Sequence, residues 1–149
     1  MVKIERAGVK DHGVVCGLLM SFARGEGWEP EVDLDRWDRI VAELLNSDGW
    51  IFLVAREGEE PVGLAAVGFH LSLYGSREQA RLAALSVEEA YRRRGTGTKL
   101  MEEVLRSVRR RGCRELEAAL DPGKRELAGF FDKFNFTGRL ELLTWPCEE

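Results

Sequence analysis

The sequence predicts an α/β fold in which helices flank a mixed central sheet. Segments with the apolar patterns of strands are interleaved along the chain with segments of helical periodicity. Two strands lie on either side of a turn that contains glycine and proline, which is typical of an antiparallel hairpin. Another pair is separated by an amphipathic helix, and such a unit is almost always a right-handed crossover between parallel strands. We therefore expect one sheet that holds both kinds of pair.

The first half of the chain supplies two helices and the hairpin. Val2 and Ile4 alternate with charged residues, which predicts a short strand at 2–5. Asp11 is placed to cap a helix whose apolar residues repeat at helical spacing until Gly25. The same spacing predicts a helix over 34–45, and strands at 50–55 and 62–69 enclose the hairpin turn.

The second half supplies the crossover and the last elements. A strand at 82–87 is apolar nearly throughout, which predicts that both of its faces are covered. Thr98 opens an amphipathic helix that continues to residue 111, and Gly112 closes it. A strand at 115–120, a short helix over 124–134 and a last strand at 139–145 complete the prediction.

Composition limits the class of protein. With 149 residues the chain has the size of one domain with one core, and we expect residues 1–149 to form it. No apolar run reaches membrane-spanning length, and Glu5 and Arg6 interrupt the start of the chain, which predicts a cytoplasmic protein with no signal peptide and no membrane partner. The net charge of −4 argues against nucleic acid as a partner.

The cysteines predict neither a disulfide framework nor a metal site. Cys16, Cys113 and Cys147 are widely spaced and lack the C-x-x-C or histidine-rich context of such sites. We expect Cys16 and Cys113 to be small apolar fillers.

The segment that joins the strand at 82–87 to the next helix combines positive charge with glycine. Its residues, called here the arginine–glycine turn, are Arg92, Arg93, Arg94, Gly95, Thr96, Gly97 and Thr98. Glycine lets a backbone pass close to a ligand, and the first turn of a helix has N–H groups without intrahelical partners. The helix dipole and the arginines attract anions. The sequence therefore predicts a diphosphate site here.

Two better-known phosphate loops fit this segment less well. A P-loop requires a glycine five places before the glycine that precedes its Lys-Ser/Thr, and Gly97 has none. The dinucleotide fingerprint G-x-G-x-x-G is met at Gly95 and Gly97, but Leu100 occupies the third glycine position. Glu115, 20 residues after Gly95, keeps a nucleotide-binding α/β domain open as an alternative.

The strand, turn and helix resemble motif A of the GNAT superfamily of acyl-CoA N-acyltransferases. That motif is a strand ending in valine, then Tyr-Arg, then the signature [Q/R]-x-x-G-x-[G/A]. Here these are Val87, Tyr91 and the six residues from Arg92 to Gly97. The order of predicted strands and helices is similar to the family's over essentially the whole chain. The resemblance therefore implies a GNAT-like fold whose central strands splay apart.

The resemblance also implies a co-substrate and a reaction. The implied co-substrate is acetyl-CoA, without a metal, and the implied reaction is direct acetyl transfer to a primary amine in a ternary complex. The implied CoA contacts are the backbone of Leu85 and Val87, the amides from Arg94 to Thr98, and the side chains of Arg92 and Arg93. Backbone N–H groups near Leu85 and Ser86 would donate to the thioester oxygen.

Some positions depart from the family pattern. The frequent tyrosine, the proposed general acid, falls on Phe131, and the asparagine seven places before it falls on Lys124. A glutamate found early on the central strand of some members aligns with Arg81. Asn135 replaces a glycine after a helix, where asparagine tolerates the left-handed conformation. Because a thiol has a pKa of about 8.5, a CoA thiolate can leave without an acid.

The general base is not identified by the motif. The carboxylate candidates are Glu117, Asp121, Glu26 and Glu29, and each also fits a solvated surface position. His70, at the end of a strand, is expected to be a satisfied or exposed histidine, although an imidazole suits the task.

The acceptor is expected to be an amine of a small molecule or peptide that approaches the loop before the second helix. In that loop Trp28 and Glu29 would hold a cation through the indole face and the charge, unless Trp28 is tucked inward. A homodimer is compatible with the sequence. A non-catalytic CoA-binding or regulatory module is a further alternative, because the changes at Arg81, Lys124 and Phe131 remove acid and base functions.

Overall fold

The computed structural model describes residues 1–27, 34–73, 75, 77–121 and 123–147. Its strands are β1 Val2–Arg6, β2 Trp50–Glu57, β3 Glu60–Leu71, β4 Glu78–Val87 and β5 Leu116–Ala118. Its helices are α1 His12–Gly25, α2 Leu34–Leu45, α3 Thr96–Arg111 and α4 Arg125–Asp132. Single turns of 3₁₀ helix at Val9–Asp11 and Glu89–Tyr91 precede α1 and the arginine–glycine turn.

The sheet is mixed, as predicted. Its strand order is β1-β2-β3-β4-β5, and the first four strands pair in antiparallel fashion. At the start of the last pair Arg114 N donates to Glu78 O at 3.1 Å and Ala80 N donates to Glu115 O at 3.0 Å. The residue numbers of both partners rise together, which is the pattern of parallel strands. The predicted hairpin is β2 and β3, joined by a tight turn at Gly58, whose φ of +62° suits glycine.

Helices cover both faces of the sheet. On one face α1 and α2 pack against a core that includes Val15, Val41 and Leu64. Successive residues of a strand point to opposite faces, so Gly63 faces the other side. There a Cβ on Gly63 would lie 3.1 Å from Leu100 Cδ1, and the lack of a side chain lets α3 approach β3 closely. This close packing holds the first turns of α3, where Leu100 lies, against β3.

The chain falls into two compact units, Met1–Glu117 and Ala118–Glu149. The first contains β1 to β4 and α1 to α3, and the second contains α4. The single domain and the splaying of the central strands stay predictions. Among the described residues, no helix has both the length and the apolar character needed to cross a bilayer.

Two predictions about strands are wrong. The described residues of 139–145 form no strand, and Leu140, Leu143 and Trp145 are exposed. An apolar sequence makes a strand only where a neighbour supplies N–H and C=O groups, and the described residues of this segment have no such pairing. The strand at 82–87 is not covered on both faces either, since Ala83 is exposed. β5 is also shorter than predicted, and α3 starts two residues earlier.

Candidate functional site

The arginine–glycine turn has an unusual backbone. Arg93 has φ of +63° and Gly95 has φ of +80°, both in the left-handed region. A non-glycine residue there stores strain of about 1–3 kcal/mol, and such residues cluster at ligand sites. Left-handed residues alternating with others turn successive N–H groups toward one concave surface that suits anions.

The amides of this turn are donors without acceptors. The first backbone bond of α3 joins Lys99 N to Gly95 O at 3.1 Å. Within the described part of the chain, none of the N–H groups from Arg93 to Thr98 donates to a protein acceptor. Thr96 is 2% exposed, and its Oγ1 also has no partner among the described residues. Orphaned donors at the positive end of a helix dipole form an anion site, and a diphosphate fits them.

The three arginines of the turn differ in their contacts. Arg92 Nε donates to Val87 O at 2.9 Å, which ties the turn to the end of β4. Arg94 Nη1 lies 3.5 Å from Glu57 Oε2, and its guanidinium lies 5.4 Å from the centre of the Tyr91 ring. Arg93 is exposed and forms no ion pair or hydrogen bond with any described residue. Of the three, Arg93 is therefore the cation that is free to meet an anion.

The main chain of β4 has one side that does not face β3. Glu88 N donates to Val62 O at 2.8 Å, and the register of the ladder makes Ser86 a hydrogen-bonded position. Because positions alternate in an antiparallel ladder, the N–H and C=O groups of Leu85 and Val87 point away from β3. The Ser86 N–H is used inside the sheet, which corrects its prediction as a donor to the thioester. The N–H group of Leu85 points away from β3, as a donor to the thioester would have to.

A β-bulge interrupts β4 four residues before its end. Ala66 pairs with Ala84 and Val67 pairs with Leu82, so Ala83 has no partner in β3. A bulge re-aims the backbone and is common beside active sites. The sequence did not predict this bulge, because no glycine or proline marks its position.

An open pocket of about 310 Å³ lies at this bulge, lined by Trp50, Gly68, Phe69, His70, Arg81 and Ala83. The Trp50 ring covers Gly68, where a Cβ would meet it at 3.0 Å. Trp50 also stacks on Phe52 at 5.9 Å between ring centres. This contact holds the indole in place as one wall of the pocket. The pocket combines an apolar floor with charged groups at its rim.

Two side chains at that rim, His70 and Arg81, meet the carboxylate of Glu117. Arg81 Nη2 lies 3.2 Å from Glu117 Oε2, and His70 Nε2 lies 3.9 Å from Glu117 Oε1. Glu117 thus stands between a guanidinium and an imidazole, and its charge is engaged by Arg81. His70 is about half exposed and reaches solvent, which an imidazole that exchanges protons requires.

The other candidate carboxylates have different surroundings. Asp121 Oδ1 accepts a hydrogen bond from Gly123 N at 2.9 Å, which is the geometry of a turn. Glu26 is exposed at the end of α1, where its backbone N bonds to Phe22 O and Ala23 O. Trp28 and Glu29 lie outside the described residues. Of the candidates within the described chain, Glu117 is the one that contacts residues lining the pocket, Arg81 and His70.

The residues that depart from the family pattern have structural roles. Phe131 is 7% exposed, and its ring meets those of Phe130 and Phe136 at 5.8 and 5.0 Å, which is core packing. Asn135 has φ of +64°, as predicted for a residue that replaces glycine there. Lys124 occupies the N-cap position of α4.

The fold, the strained turn and the unbonded amides define the class of protein as an α/β domain with unbonded main-chain donors at a helix N-terminus. A family model matches residues 13–136 and is that of the acetyltransferase (GNAT) family. The chain therefore belongs to the GNAT family, and the enzyme class is acetyltransferase. GNAT acetyltransferases use acetyl-CoA.

Solved structures share this fold at low sequence identity. An aminoglycoside acetyltransferase from an uncultured soil metagenomic sample, in complex with trehalose, is 19% identical, with a TM-score of 0.84 over 99% of this chain and 96% of that one. A predicted acetyltransferase with acetyl-CoA from Clostridium acetobutylicum is 18% identical, with a TM-score of 0.82 over 98% and 96%. A possible acetyltransferase from Clostridium difficile 630 is 14% identical, with a TM-score of 0.85 over 100% and 99%. No curated protein matches the chain.

Proposed function

We propose that this protein transfers an acetyl group from acetyl-CoA directly to a primary amine within a ternary complex. The observation that carries the proposal is the run of unbonded amides from Arg93 to Thr98 at the N-terminus of α3. An anion site of this kind, directly after a strand with outward-facing main-chain groups, suits a ligand that is a diphosphate at one end and an amide chain at the other.

Different groups of the chain bind different parts of acetyl-CoA. The amides of Arg94, Gly95, Thr96, Gly97 and Thr98 bind the diphosphate, with the Thr96 hydroxyl beside them. Arg93 adds positive charge, while Arg92 holds the turn against β4. The main chain of Leu85 and Val87 binds the amide groups of the pantetheine arm.

Side chains at the pocket carry the proton transfers in this proposal. A primary alkylamine is almost wholly protonated at neutral pH, so a base must take its proton before the nitrogen attacks. His70 takes that proton, and the nearby Glu117 carboxylate, which also pairs with Arg81, offsets part of the new charge. The Leu85 N–H donates to the thioester oxygen as negative charge develops there.

The leaving group needs no acid from the protein. Acetyl-CoA supplies a thioester, whose thiolate is a good leaving group because its thiol has a pKa of about 8.5. The buried Phe131, which cannot donate a proton, is compatible with this chemistry. The thiolate then takes a proton from solvent.

The acceptor is proposed to be an amine of a small molecule or a peptide, and a role for Trp28 and Glu29 in holding it stays a prediction from sequence. One structural neighbour is an aminoglycoside acetyltransferase in complex with sisomicin, which supports a small polyamine as an acceptor to test. The aromatic wall at Trp50 suits an ammonium group that approaches the pocket, and Glu117 offsets the charge of Arg81 there.

Two measurements on the purified chain test the proposal. Isothermal titration should show one acetyl-CoA bound per chain, with CoA as an effective competitor and ATP and NAD as weak ones. Thiol release should then appear with at least one member of a panel of aminoglycosides, polyamines and peptide amines. Tight CoA binding without turnover on any amine would favour a non-catalytic module, and preference for ATP or NAD would contradict the proposed site.

A further inference from the structure

Three side chains of different chemistry meet between α1 and α2. His12 and Cys16 are four residues apart on α1 and so share a face, and Asp38 projects from α2. Cys16 Sγ lies 3.6 Å from His12 Nε2 and 3.5 Å from Asp38 Oδ1. His12 Nε2 lies 3.8 Å from Asp38 Oδ1. The three donor atoms thus form a nearly equilateral triangle.

We propose that His12, Cys16 and Asp38 form a binding site for a divalent ion of the Zn²⁺ type, which links α1 to α2. The centre of a triangle with these sides is about 2.1 Å from each corner. Zinc in proteins has bonds of about 2.0–2.3 Å to nitrogen, oxygen and sulfur. The side chains therefore already stand at the separations that three ligands of one tetrahedral ion have.

The donor set selects the kind of ion. A thiolate and an imidazole are poor ligands for Mg²⁺ and Ca²⁺, which take oxygen, and they suit zinc and the late transition metals. The thiolate and the carboxylate together offset both charges of the ion. Asp38 is 57% exposed and His12 is 32% exposed, so water reaches the fourth position of the tetrahedron.

Binding exchanges local contacts for metal bonds. The Cys16 S–H bond breaks as the S–Zn bond forms, and the proton passes to buffer. His12 Nε2 lies 2.9 Å from Asp38 O, so binding also ends this hydrogen bond and moves the imidazole proton to the other ring nitrogen. The cost is two hydrogen bonds, from the Cys16 S–H to Asp38 Oδ1 and between His12 Nε2 and Asp38 O, against three metal bonds formed.

A nucleophilic cysteine is the competing interpretation of the same three residues. Burial, the hydrogen bond to Asp38 and the charge of Asp38, in that order, raise the pKa of Cys16 to about 11. A nucleophilic thiol instead needs surroundings that favour the thiolate, which is the reactive form. Without a bound ion Cys16 is a neutral thiol. A bound divalent cation would favour the thiolate form of Cys16.

The site has a structural consequence for the enzyme. α1 and α2 pack on the same core cluster, and a bound ion would join them across 26 residues of sequence, from His12 to Asp38. Because the unfolded chain does not hold the three ligands together, binding stabilises the folded state. This inference is independent of the acetyl-CoA site, and either one can fail alone.

The test uses cobalt chloride and zinc chloride on the full chain with Cys113→Ala and Cys147→Ala introduced, so that Cys16 is the one thiol left. Cobalt should give a sulfur-to-metal charge-transfer band with one equivalent, and zinc should abolish it. In this background Cys16→Ser, His12→Ala and Asp38→Asn should each lower zinc affinity by at least about tenfold. Circular dichroism confirms that each variant is folded.

Other results would overturn the inference. A charge-transfer band that is absent in the Cys16-only chain, or that survives Cys16→Ser, excludes the thiolate as a ligand. Equal zinc affinity in the parent and in Asp38→Asn shows adventitious binding only. Acetyl-CoA affinity measured in the same samples keeps a failure here separate from a failure of the proposed enzyme activity.

Discussion

The carboxyl end of β4 and the bulge four residues before it are proposed to work through different parts of the chain. At its carboxyl end the arginine–glycine turn presents main-chain N–H groups, and the side chains around them are mostly engaged with Val87, Glu57 and Tyr91. Four residues before that end, at the bulge of Ala83, lies a pocket lined by His70 and Arg81, whose side chains meet Glu117. Binding by backbone depends on conformation, whereas proton transfer depends on the identity of particular side chains.

The contrast predicts different mutational sensitivities. Substitutions at the turn should matter where they change backbone shape or access, and little where they change a side chain. Substitutions at the pocket should act on turnover and leave acetyl-CoA affinity almost unchanged. The following variants test this division.

The largest effect is expected for His70→Ala. Loss of a general base lowers kcat by about 10²–10⁴-fold, and we expect the lower end because Glu117 remains nearby. The acetyl-CoA dissociation constant should not change. Leu71→Ala, at the next and more exposed position of β3, is the matched control and should keep full activity. Equal kcat in the two variants would remove His70 from the mechanism.

A smaller effect, and on binding, is expected for Gly97→Val. The added side chain blocks the approach of the diphosphate to the amides, and acetyl-CoA affinity should fall at least tenfold, or about 1.4 kcal/mol. Gly13→Val is the matched control, because Gly13 is likewise the second residue of a helix and a Cβ there meets open space. Titration calorimetry that finds the two variants alike would place the diphosphate elsewhere.

The smallest effect is expected for single arginines of the turn. Arg93→Gln should weaken acetyl-CoA binding by about 0.3–1 kcal/mol, and the difference should shrink as salt screens the charges. Arg94→Gln should have less effect, since Arg94 is paired with Glu57. A larger loss for Arg94 than for Arg93 would show that the Glu57 pair opens when the ligand binds.

The turn could be predicted from sequence because its determinants are contiguous. Seven successive residues set both the glycine-dependent backbone and the start of α3, so local patterns carry the information. Local apolar patterns also predicted where β1 to β4 lie along the chain. What no pattern showed was that Arg93, not a glycine, takes the left-handed conformation before Gly95.

The pocket could not be predicted, because it is assembled from separate strands. The pairing of Arg81 with Glu117 depends on the register between β4 and the segment after α3, and the bulge at Ala83 has no local sequence signal. The contact between Asp38 and Cys16 likewise depends on tertiary structure, since it arises from the packing of α1 against α2. The segment 139–145 shows the opposite error, since its apolar pattern predicted a strand that has no pairing among the described residues.

A crystal structure of the chain with acetyl-CoA is the most direct test of the central claim. We expect the diphosphate oxygens to accept hydrogen bonds from the amides between Arg93 and Thr98, and the pantetheine amides to bond to the main chain of Leu85 and Val87. A bound acetyl-CoA whose diphosphate lies elsewhere, with those amides bonded to other protein atoms, would contradict the account.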